Sequence, residues 1–389
     1  MNILFLLGTY PNYGGVETVT TFLANEFIKK GIKVSIISFR NDVPDLINQL
    51  DDKIKLYQFP SRKVLDKSNI KYLKELIKDN NIDFILNQWC LPFYVTLLCK
   101  KAIVNTNCKL FAIHHNAPNQ NSMLQNIEIE LNKNISFIKS KILRLKRILV
   151  TFITQKSMKY VYNNSDAYIL LSDSFIKIFV DFVGIKEQSK LKVITNPLTI
   201  ETNLDLDIYN NKENEIIYVG RVDYNQKRVS RIIEVWSLLE HKFPDWKLKI
   251  VGDGPELNSL KELAQHKDLK QVYFEGFQNP VEYYKSAKVL VLMSEYEGFP
   301  LVLIEGSNYG SIPVVYGSYD AVYDMIEHNI NGIIIDKKNN FPVELTANKI
   351  ESLIRNEEEL KKISKEAIKK SKSFEKDAII NLWIKLFNE

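Results

Sequence analysis

The sequence predicts an α/β protein built of two doubly wound, Rossmann-like domains. Short apolar segments alternate with amphipathic segments of helical period along the whole chain. This alternation is typical of parallel sheets that are covered by helices on both faces. The chain has 389 residues, which is too long for one ordinary core and fits two domains. A polar stretch without periodicity, 201–214, interrupts the pattern near the middle, and we place the linker there.

The strands are predicted as short apolar runs between helical segments. In the first half they lie near 2–8, 32–38, 54–58, 83–87, 109–114, 167–172 and 191–195, and in the second near 215–219, 247–251, 271–275, 288–293, 312–316 and 332–335. The predicted domains are 1–197 and 198–373, followed by a helix in 374–389. The two domains are expected to face each other across a cleft, because ligands of such sheets bind at the carboxyl ends of the strands.

Composition excludes several classes of protein. Fifty-two Lys and Arg against 47 Asp and Glu leave a net charge of +5, so nucleic acid is not an expected partner. Residues 1–8 read as a first strand rather than a signal peptide, and no run of 18 apolar residues predicts a membrane span. The three cysteines, Cys90, Cys99 and Cys108, form no C-x-x-C pair and are expected to be core thiols in a reducing cytoplasm.

A strand, a turn and a helix start carry the main functional signal. The apolar run 289–293 precedes Glu297, and Pro300 lies where the first residue of a helix needs no N–H. The backbone N–H groups of a helix N-terminus attract anions, so the loop of Gly298, Phe299, Pro300 and Leu301 is a candidate phosphate site. Glu297 and Glu305 flank this loop. Carboxylates repel phosphate but accept hydrogen bonds from sugar hydroxyls, so the pattern indicates a nucleotide sugar; the alternative is a solvated helix face.

Three further motifs follow predicted strands. Arg221 and Lys227 bracket a loop between a strand and a helix, where two cations can neutralise a diphosphate. Gly14 and Gly15 precede the first helix and permit close approach of a ligand, although a plain tight turn would use the same residues. The first loop lacks G-x-G-x-x-G, which disfavours a nicotinamide enzyme. His114 and His115 end the strand at 109–114; the alternative for either one is an ordinary core or surface histidine.

The segment 295–306 resembles the signature of retaining glycosyltransferase family four, the glycosyl transferases group 1 with the GT-B fold. The shared features are Glu297 followed by Gly-Phe-Pro and, after seven intervening residues, Glu305, together with Gly-Arg221 followed six residues later by Lys227. The resemblance implies that Glu297 faces the donor sugar and that Glu305 binds the ribose. It assigns the diphosphate to the two cations and to the loop at Gly14 and Gly15.

The same resemblance extends to other parts of the chain. It implies a histidine that contacts the transferred sugar, which matches His115 best, with His114 open because the register is uncertain by one residue. The segment that ends at Phe277 would wrap the nucleotide base. The last helix would cross back to the first domain.

The predicted reaction is transfer of a sugar, from a UDP-sugar, to an acceptor hydroxyl with retention at the anomeric carbon. The acceptor would be a glycan or lipid-linked glycan in bacterial surface polysaccharide or glycolipid synthesis. No metal is expected, because Arg221, Lys227 and the helix end at Pro300 can replace the ion electrostatically. Asp205-Leu206-Asp207 matches the metal-binding pattern Asp-x-Asp. It lies in the predicted linker and not at the end of a strand, so we interpret the match as coincidence. The alternatives are a nucleotide-sugar epimerase and a non-catalytic binding protein.

Residues 131–165 contain eight Lys or Arg and no acidic residue. Apolar residues recur here at intervals of three and four, which predicts a helix with one apolar stripe. The stripe consists of Ile135, Ile138, Ile142, Leu145, Leu149 and Phe152. We expect this basic amphipathic segment to contact an anionic membrane, which would make the protein peripheral on the inner face of the plasma membrane. The alternative is a helix that packs on its domain by the stripe.

Overall fold

The computed structural model describes residues 1–131, 135–201, 206 and 208–389. Within these ranges the chain forms two compact units, of which one comprises Met1–Thr199 with Lys376–Glu389 and the other Ile200–Glu375. Each unit contains one parallel sheet with helices between consecutive strands. The two doubly wound α/β units that the sequence predicts are therefore present.

The first unit contains seven parallel strands in the order β3-β2-β1-β4-β5-β6-β7. Its strands are β1 (Asn2–Thr9), β2 (Lys33–Arg40), β3 (Lys55–Gln58), β4 (Phe84–Asn87), β5 (Lys109–His114), β6 (Ala167–Leu170) and β7 (Leu191–Val193). Its helices before the second unit are α1 (Gly15–Lys29), α2 (Lys67–Asp79), α3 (Phe93–Ala102), α4 (Ser122–Leu131), α5 (Phe137–Asn164) and α6 (Ser174–Val183). The strand order reverses between β1 and β4.

The second unit contains six parallel strands in the order β10-β9-β8-β11-β12-β13. They are β8 (Glu213–Val219), β9 (Lys247–Val251), β10 (Val272–Gly276), β11 (Ala287–Leu292), β12 (Ile312–Gly317) and β13 (Ile333–Asp336). The helices are α7 (Ser230–Trp236), α8 (Leu257–His266), α9 (Val281–Ser286), α10 (Leu301–Asn308), α11 (Ala321–Met325), α12 (Val343–Ile354) and α13 (Glu357–Ser371). Strands β11 and β12 are buried throughout, as expected of strands covered on both faces.

The last helix, α14 (Lys376–Asn388), belongs to the first unit. Its Phe387 ring lies 4.9 Å from Phe84, 5.6 Å from Phe27 and 6.1 Å from Phe111, measured between ring centroids. Trp383 is also buried. Aromatic side chains bury large apolar areas, so this cluster ties the chain end to the core under β1, β4 and β5.

All thirteen predicted strands are present, and none of their ends differs by more than two residues from the predicted one. The polar stretch 201–214 is partly structured instead of being a plain linker, because a 3₁₀ turn at Ile208–Asn211 buries Tyr209 and β8 begins at Glu213. Helix α10 starts one residue later than predicted, with Pro300 as its N-cap. Asp205 and Asp207 of the interpreted Asp-x-Asp lie outside the described residues.

The three cysteines are unpaired and buried, so the prediction of core thiols is confirmed. Burial raises the pKa of Cys90 to about 12, which keeps its thiol protonated. None of the helices described is both long enough and apolar enough to cross a bilayer.

Candidate active site

The candidate site lies where the strand order of the second unit reverses. Strand β8 has β9 on one side and β11 on the other, so helices depart in opposite directions from the ends of β8 and β11. Open α/β sheets bind their ligands in the crevice at this switch point. The loop after β8 carries Arg221 and Lys227, and the loop after β11 carries Glu297. The tertiary fold therefore joins two motifs that are 70 residues apart.

Lys227 and Glu297 form an ion pair at the centre of the site. Lys227 Nζ lies 2.6 Å from Glu297 Oε1, and the two side chains are 16% and 7% exposed. Gln226 Nε2 donates hydrogen bonds of 3.2 Å to Glu297 Oε2 and to the backbone oxygen of Tyr296. Both carboxylate oxygens of Glu297 are thus held by donors from the β8 loop. An ammonium has three donors, so Lys227 can bind a phosphate oxygen while it keeps Glu297.

Arg221 is held from one side and open on the other. Its Nε donates to Asp223 Oδ2 at 2.8 Å and its Nη2 to Gln226 Oε1 at 3.4 Å, while its side chain is 65% exposed. Asp223 is buried and also accepts from the backbone N–H of Gln226 at 2.7 Å. Each of the two predicted cations therefore has a carboxylate partner. A guanidinium carries five donors, which leaves several for a ligand anion.

Two glycines allow the loops after β8 and β9 to touch. Gly252 has φ of 144°, and a Cβ built on it would lie 1.8 Å from the carbonyl oxygen of Gly220. Gly254 has a similar conformation, and a Cβ there would lie 2.2 Å from the oxygen of Val222. Both contacts are with backbone that flanks Arg221. Glycine at positions 252 and 254 thus lets the loop after β9 pack directly against the loop that carries Arg221.

The remaining predicted donor residues of this unit lie after β10 and β11. Gly298, Phe299 and Pro300 are buried, and Leu301 begins α10. Glu305 is also buried, and the hydroxyl of Tyr284 on α9 donates to its Oε2 at 3.0 Å. Phe277, by contrast, is exposed after the end of β10. The structure brings Arg221, Lys227 and Glu297 into one hydrogen-bonded cluster, and places Glu305 on the helix that follows it.

Gly14 and Gly15 lie in the first unit, at the start of α1. Gly14 is the N-cap of α1 and Gly15 its first residue, and both are exposed after the end of β1. Strand β1 borders the switch point of its own sheet. Nothing lies within 4 Å of a Cβ built on Gly15, whereas the Glu17 carboxylate folds back to Gly14, where its Oε2 would lie 2.3 Å from such a Cβ.

The two histidines have different surroundings. His114 ends β5 and is buried, and its Nδ1 lies 3.1 Å from the Tyr168 hydroxyl. His115 is half-buried, and its Nε2 is hydrogen-bonded to Gln88 Oε1, just after β4. Burial lowers the pKa of His114 to about 4, while burial and the charge of His114 lower that of His115 to about 3. Both imidazoles are neutral near pH 7. His114 Nε2 is buried without a hydrogen-bond partner among the described residues, so both histidines stay candidates for ligand contact.

Sequence reasoning missed Gln226, Asp223 and Tyr319. Gln226 connects Arg221 to Glu297, and Asp223 fixes the loop that carries both cations. The Tyr319 hydroxyl is buried without a hydrogen-bond partner among the described residues. Burial and, to a smaller extent, the charge of Glu297 raise the pKa of Tyr319 well above its usual value. The one sequence signal for Asp223 and Gln226 is their position between Arg221 and Lys227. Polar residues are common in loops, so this position did not identify them as site residues.

Gln226→Ala is expected to lower the rate of donor turnover about tenfold, because a hydrogen bond to a charged group contributes about 1.5 to 3 kcal/mol and this one orients Glu297. Donor KM should change less than kcat, since Lys227 and Arg221 remain. The exposed neighbour Asn225 provides the matched control Asn225→Ala, which should leave both constants unchanged. Steady-state kinetics of the three proteins make the comparison. A wild-type kcat for Gln226→Ala would remove the orienting role of Gln226.

The described residues contain no group of three or more His, Cys, Asp or Glu side chains that could hold a metal ion. The two acidic side chains nearest to the cations, Asp223 and Glu297, are already engaged by Arg221 and Lys227. Metal independence nevertheless stays a prediction.

A parallel sheet in each unit and the cluster of Arg221, Lys227 and Glu297 are the features that the resemblance to GT-B glycosyltransferases predicts. Two family models match the chain, the Glycosyltransferase Family 4 model over residues 13–202 and the glycosyl transferases group 1 model over residues 207–370. The chain belongs to glycosyltransferase family 4. The family assignment gives no support to the epimerase alternative.

Individual relatives match the chain over its full length. It is 28% identical to an uncharacterized glycosyltransferase of Haemophilus influenzae, over 97% of this chain and 98% of the relative. It is 25% identical to the Campylobacter jejuni GalNAc-α-(1→4)-GalNAc-α-(1→3)-diNAcBac-PP-undecaprenol α-1,4-N-acetyl-D-galactosaminyltransferase, over 100% and 99%. A crystal structure of HepE from Anabaena in complex with UDP has a TM-score of 0.74 at 17% identity and covers 100% of both chains, a likeness that shows the fold.

Proposed function

We propose that this glycosyltransferase moves a sugar from a UDP-sugar to a hydroxyl of a lipid-linked glycan, with retention of anomeric configuration. The observation that carries the proposal is the ion pair of Lys227 and Glu297 at the switch point of the second sheet. A cation and a carboxylate held together suit a ligand that presents a phosphate next to sugar hydroxyls. Similarity to HepE, which was crystallised with UDP, supports uridine as the base.

In the proposed donor complex, Lys227 and Arg221 bind the diphosphate and the Glu297 carboxylate accepts a hydrogen bond from a hydroxyl of the donor sugar. Glu305 binds the ribose hydroxyls, and the backbone near Phe277 contacts the base. The loop Gly298–Leu301 contributes backbone N–H groups at the start of α10. In the first unit, Gly14 and Gly15 approach the diphosphate and His115 contacts the transferred sugar as a neutral imidazole.

The proposed chemical step is attack on the same face as the departing diphosphate. The bond between the acceptor oxygen and the anomeric carbon forms as the bond from that carbon to the phosphate oxygen breaks, and the departing phosphate oxygen takes the acceptor proton. Negative charge grows on the diphosphate, where Lys227 and Arg221 stabilise it. Both carboxylate oxygens of Glu297 accept hydrogen bonds, one from Lys227 and one from Gln226. We therefore propose that Glu297 acts as a hydrogen-bond acceptor and that no covalent glycosyl-enzyme forms.

The acceptor is proposed from similarity to the Campylobacter jejuni enzyme, whose acceptor carries diphosphoundecaprenol. We propose that the reaction takes place at the cytoplasmic face of the plasma membrane, where the lipid of such an acceptor would be embedded. The product would enter polysaccharide or glycolipid synthesis.

A thermal-shift screen of UDP-, GDP- and ADP-sugars tests the donor. A ligand that binds the native state raises Tm, and at 100 times Kd the stabilisation is about 2.7 kcal/mol. UDP-sugars should raise Tm, and the shift should persist in EDTA. The best donor is then incubated with saccharides on diphosphoundecaprenol, and the anomeric configuration of the product is read by NMR. A shift with GDP- or ADP-sugars alone, or an inverted product, would overturn the corresponding part of the proposal.

A further inference from the structure

Helix α5 exposes a broad apolar face over its N-terminal half. Its eight large apolar side chains in this region are 54% to 73% exposed, namely Phe137, Ile138, Ile142, Leu145, Ile148, Leu149, Phe152 and Ile153. At 100° per residue they cover an arc of about 160°. The exposed face therefore includes the predicted stripe from Ile138 onwards and three residues beside it, whereas Ile135, which precedes the helix, is half-buried. We call these eight residues the α5 face.

The opposite side of the same helix is packed. Val150 and Leu143 join Leu124 and Ile127 of α4 in a small core, and Thr154 Oγ1 accepts a 3.3 Å hydrogen bond from Asn121 Nδ2. Farther along, Met158, Val161 and Tyr162 are buried in the unit. The helix is thus anchored by its other side and its C-terminal half, and the reading in which the stripe packs on the domain is wrong. A monomeric soluble protein rarely exposes so large a contiguous apolar patch.

Cations border the α5 face on both sides. Arg144 lies at one edge, and Lys146 and Lys139 lie at the other. Lys141 and Lys156 lie within the arc itself, with their ammonium groups 4.5 Å from the Phe137 ring and 5.2 Å from the Phe152 ring. Lys139 is paired with Glu130 and Arg147 with Glu128, both on α4. Arg144, Lys146 and Lys141 have no acidic partner in the described structure, so their charge is available to an external anion.

We infer that the α5 face docks on an anionic lipid bilayer, with its apolar side chains among the acyl chains and its bordering cations among the headgroups. A wide apolar face with flanking Lys and Arg lets a helix lie in the plane of the interface. The six basic residues between 139 and 156 exclude a helix that spans the bilayer. A second copy of this chain fits less well, because two such faces would bring like charges together.

This inference deepens the proposed function by naming the contact that brings the enzyme to a lipid-linked acceptor. It does not depend on the identity of the donor. Vesicle binding without sugar transfer would leave the inference standing and the proposed function refuted. Sugar transfer without vesicle binding would do the reverse.

The test measures sedimentation of the full chain with vesicles of phosphatidylcholine alone and with one third phosphatidylglycerol. The wild type should bind the anionic vesicles and bind neutral ones at least tenfold more weakly. Each cation near an anionic surface contributes about fivefold, so Arg144→Gln with Lys146→Gln should weaken binding about 25-fold. Leu145→Gln with Leu149→Gln should weaken it by at least tenfold, because both exposed side chains belong to the inserted face.

The matched control is Lys361→Gln with Lys362→Gln, which removes two exposed cations from α13. It should bind as the wild type does, and circular dichroism should show unchanged Tm for all variants, since the altered side chains are exposed. Binding that falls with the control as strongly as with the α5 cations would overturn the inference, because net charge would then be the cause. The inference would also be overturned if the wild type did not bind anionic vesicles. A wild-type dimer that dissociates in the variant with Leu145→Gln and Leu149→Gln would overturn it as well, because the α5 face would then be a contact between two copies of the chain.

Discussion

Lys227→Met is expected to lower turnover by about a hundredfold to a thousandfold, the range seen when one preorganised donor to a developing negative charge is removed. Methionine keeps the length of the side chain and removes only the ammonium. Affinity for UDP should also fall, because a charge-assisted hydrogen bond contributes about 1.5 to 3 kcal/mol. Turnover is measured with the best donor of the thermal-shift screen, and UDP affinity by titration calorimetry.

The ion pair makes a second variant necessary. Lys227→Met leaves the carboxylate of Glu297 buried, with Gln226 as its one side-chain partner in the described part of the chain, and this costs stability. Changing Glu297→Gln as well removes the unpaired charge, so the double variant should regain Tm without regaining activity. Lys247→Met, at an exposed lysine of β9, is the matched control and should be fully active. Near-wild-type turnover in a folded Lys227→Met would withdraw the diphosphate assignment.

Gly252→Ala is expected to destabilise the second unit by about 3 to 5 kcal/mol, which corresponds to a fall in Tm of about 10 °C for a unit of this size. Its Cβ would lie 1.8 Å from the carbonyl oxygen of Gly220, and neither backbone can move without the strand to which it belongs. Displacement of Gly220 would also shift Arg221, so UDP affinity should fall together with stability.

Gly276→Ala separates backbone strain from the steric clash. Gly276 also has a positive φ, 70°, but nothing lies within 4 Å of a Cβ built on it. Its substitution should therefore cost only about 1 kcal/mol, the penalty for a left-handed L-residue. Thermal denaturation of both variants measures the difference. If the two substitutions cost the same, then close contact of the β8 and β9 loops is not what requires glycine at position 252.

Much of the fold was predictable because hydrophobic periodicity is local. A short apolar run bounded by loop residues, such as 289–292, is typical of a strand that is covered on both faces, and β11 is such a strand. The motifs around Glu297 and Lys227 were recognisable for a related reason, since each occupies one strand-to-helix loop. The proximity of the two motifs was also expected, because carboxyl ends of neighbouring parallel strands meet at one edge of a sheet.

Other features depend on contacts between distant residues and could not be read from local pattern. The polar side chain of Gln226 acquires its role only because the β11 loop presents the Glu297 carboxylate to it. His114 and His115 look alike in sequence, and the packing of Tyr168 and Gln88 distinguishes them.

The amphipathic pattern of α5 is a further case in which local sequence pattern does not show the contacts between distant residues. The sequence by itself determined that an apolar stripe runs along a basic helix, because a period of 3.6 residues places those side chains on one side. Which side of α5 would be covered was decided by α4, whose Leu124 and Ile127 pack against Val150. Periodicity defines the faces of a helix, whereas burial of one face depends on which surface the rest of the chain brings against it.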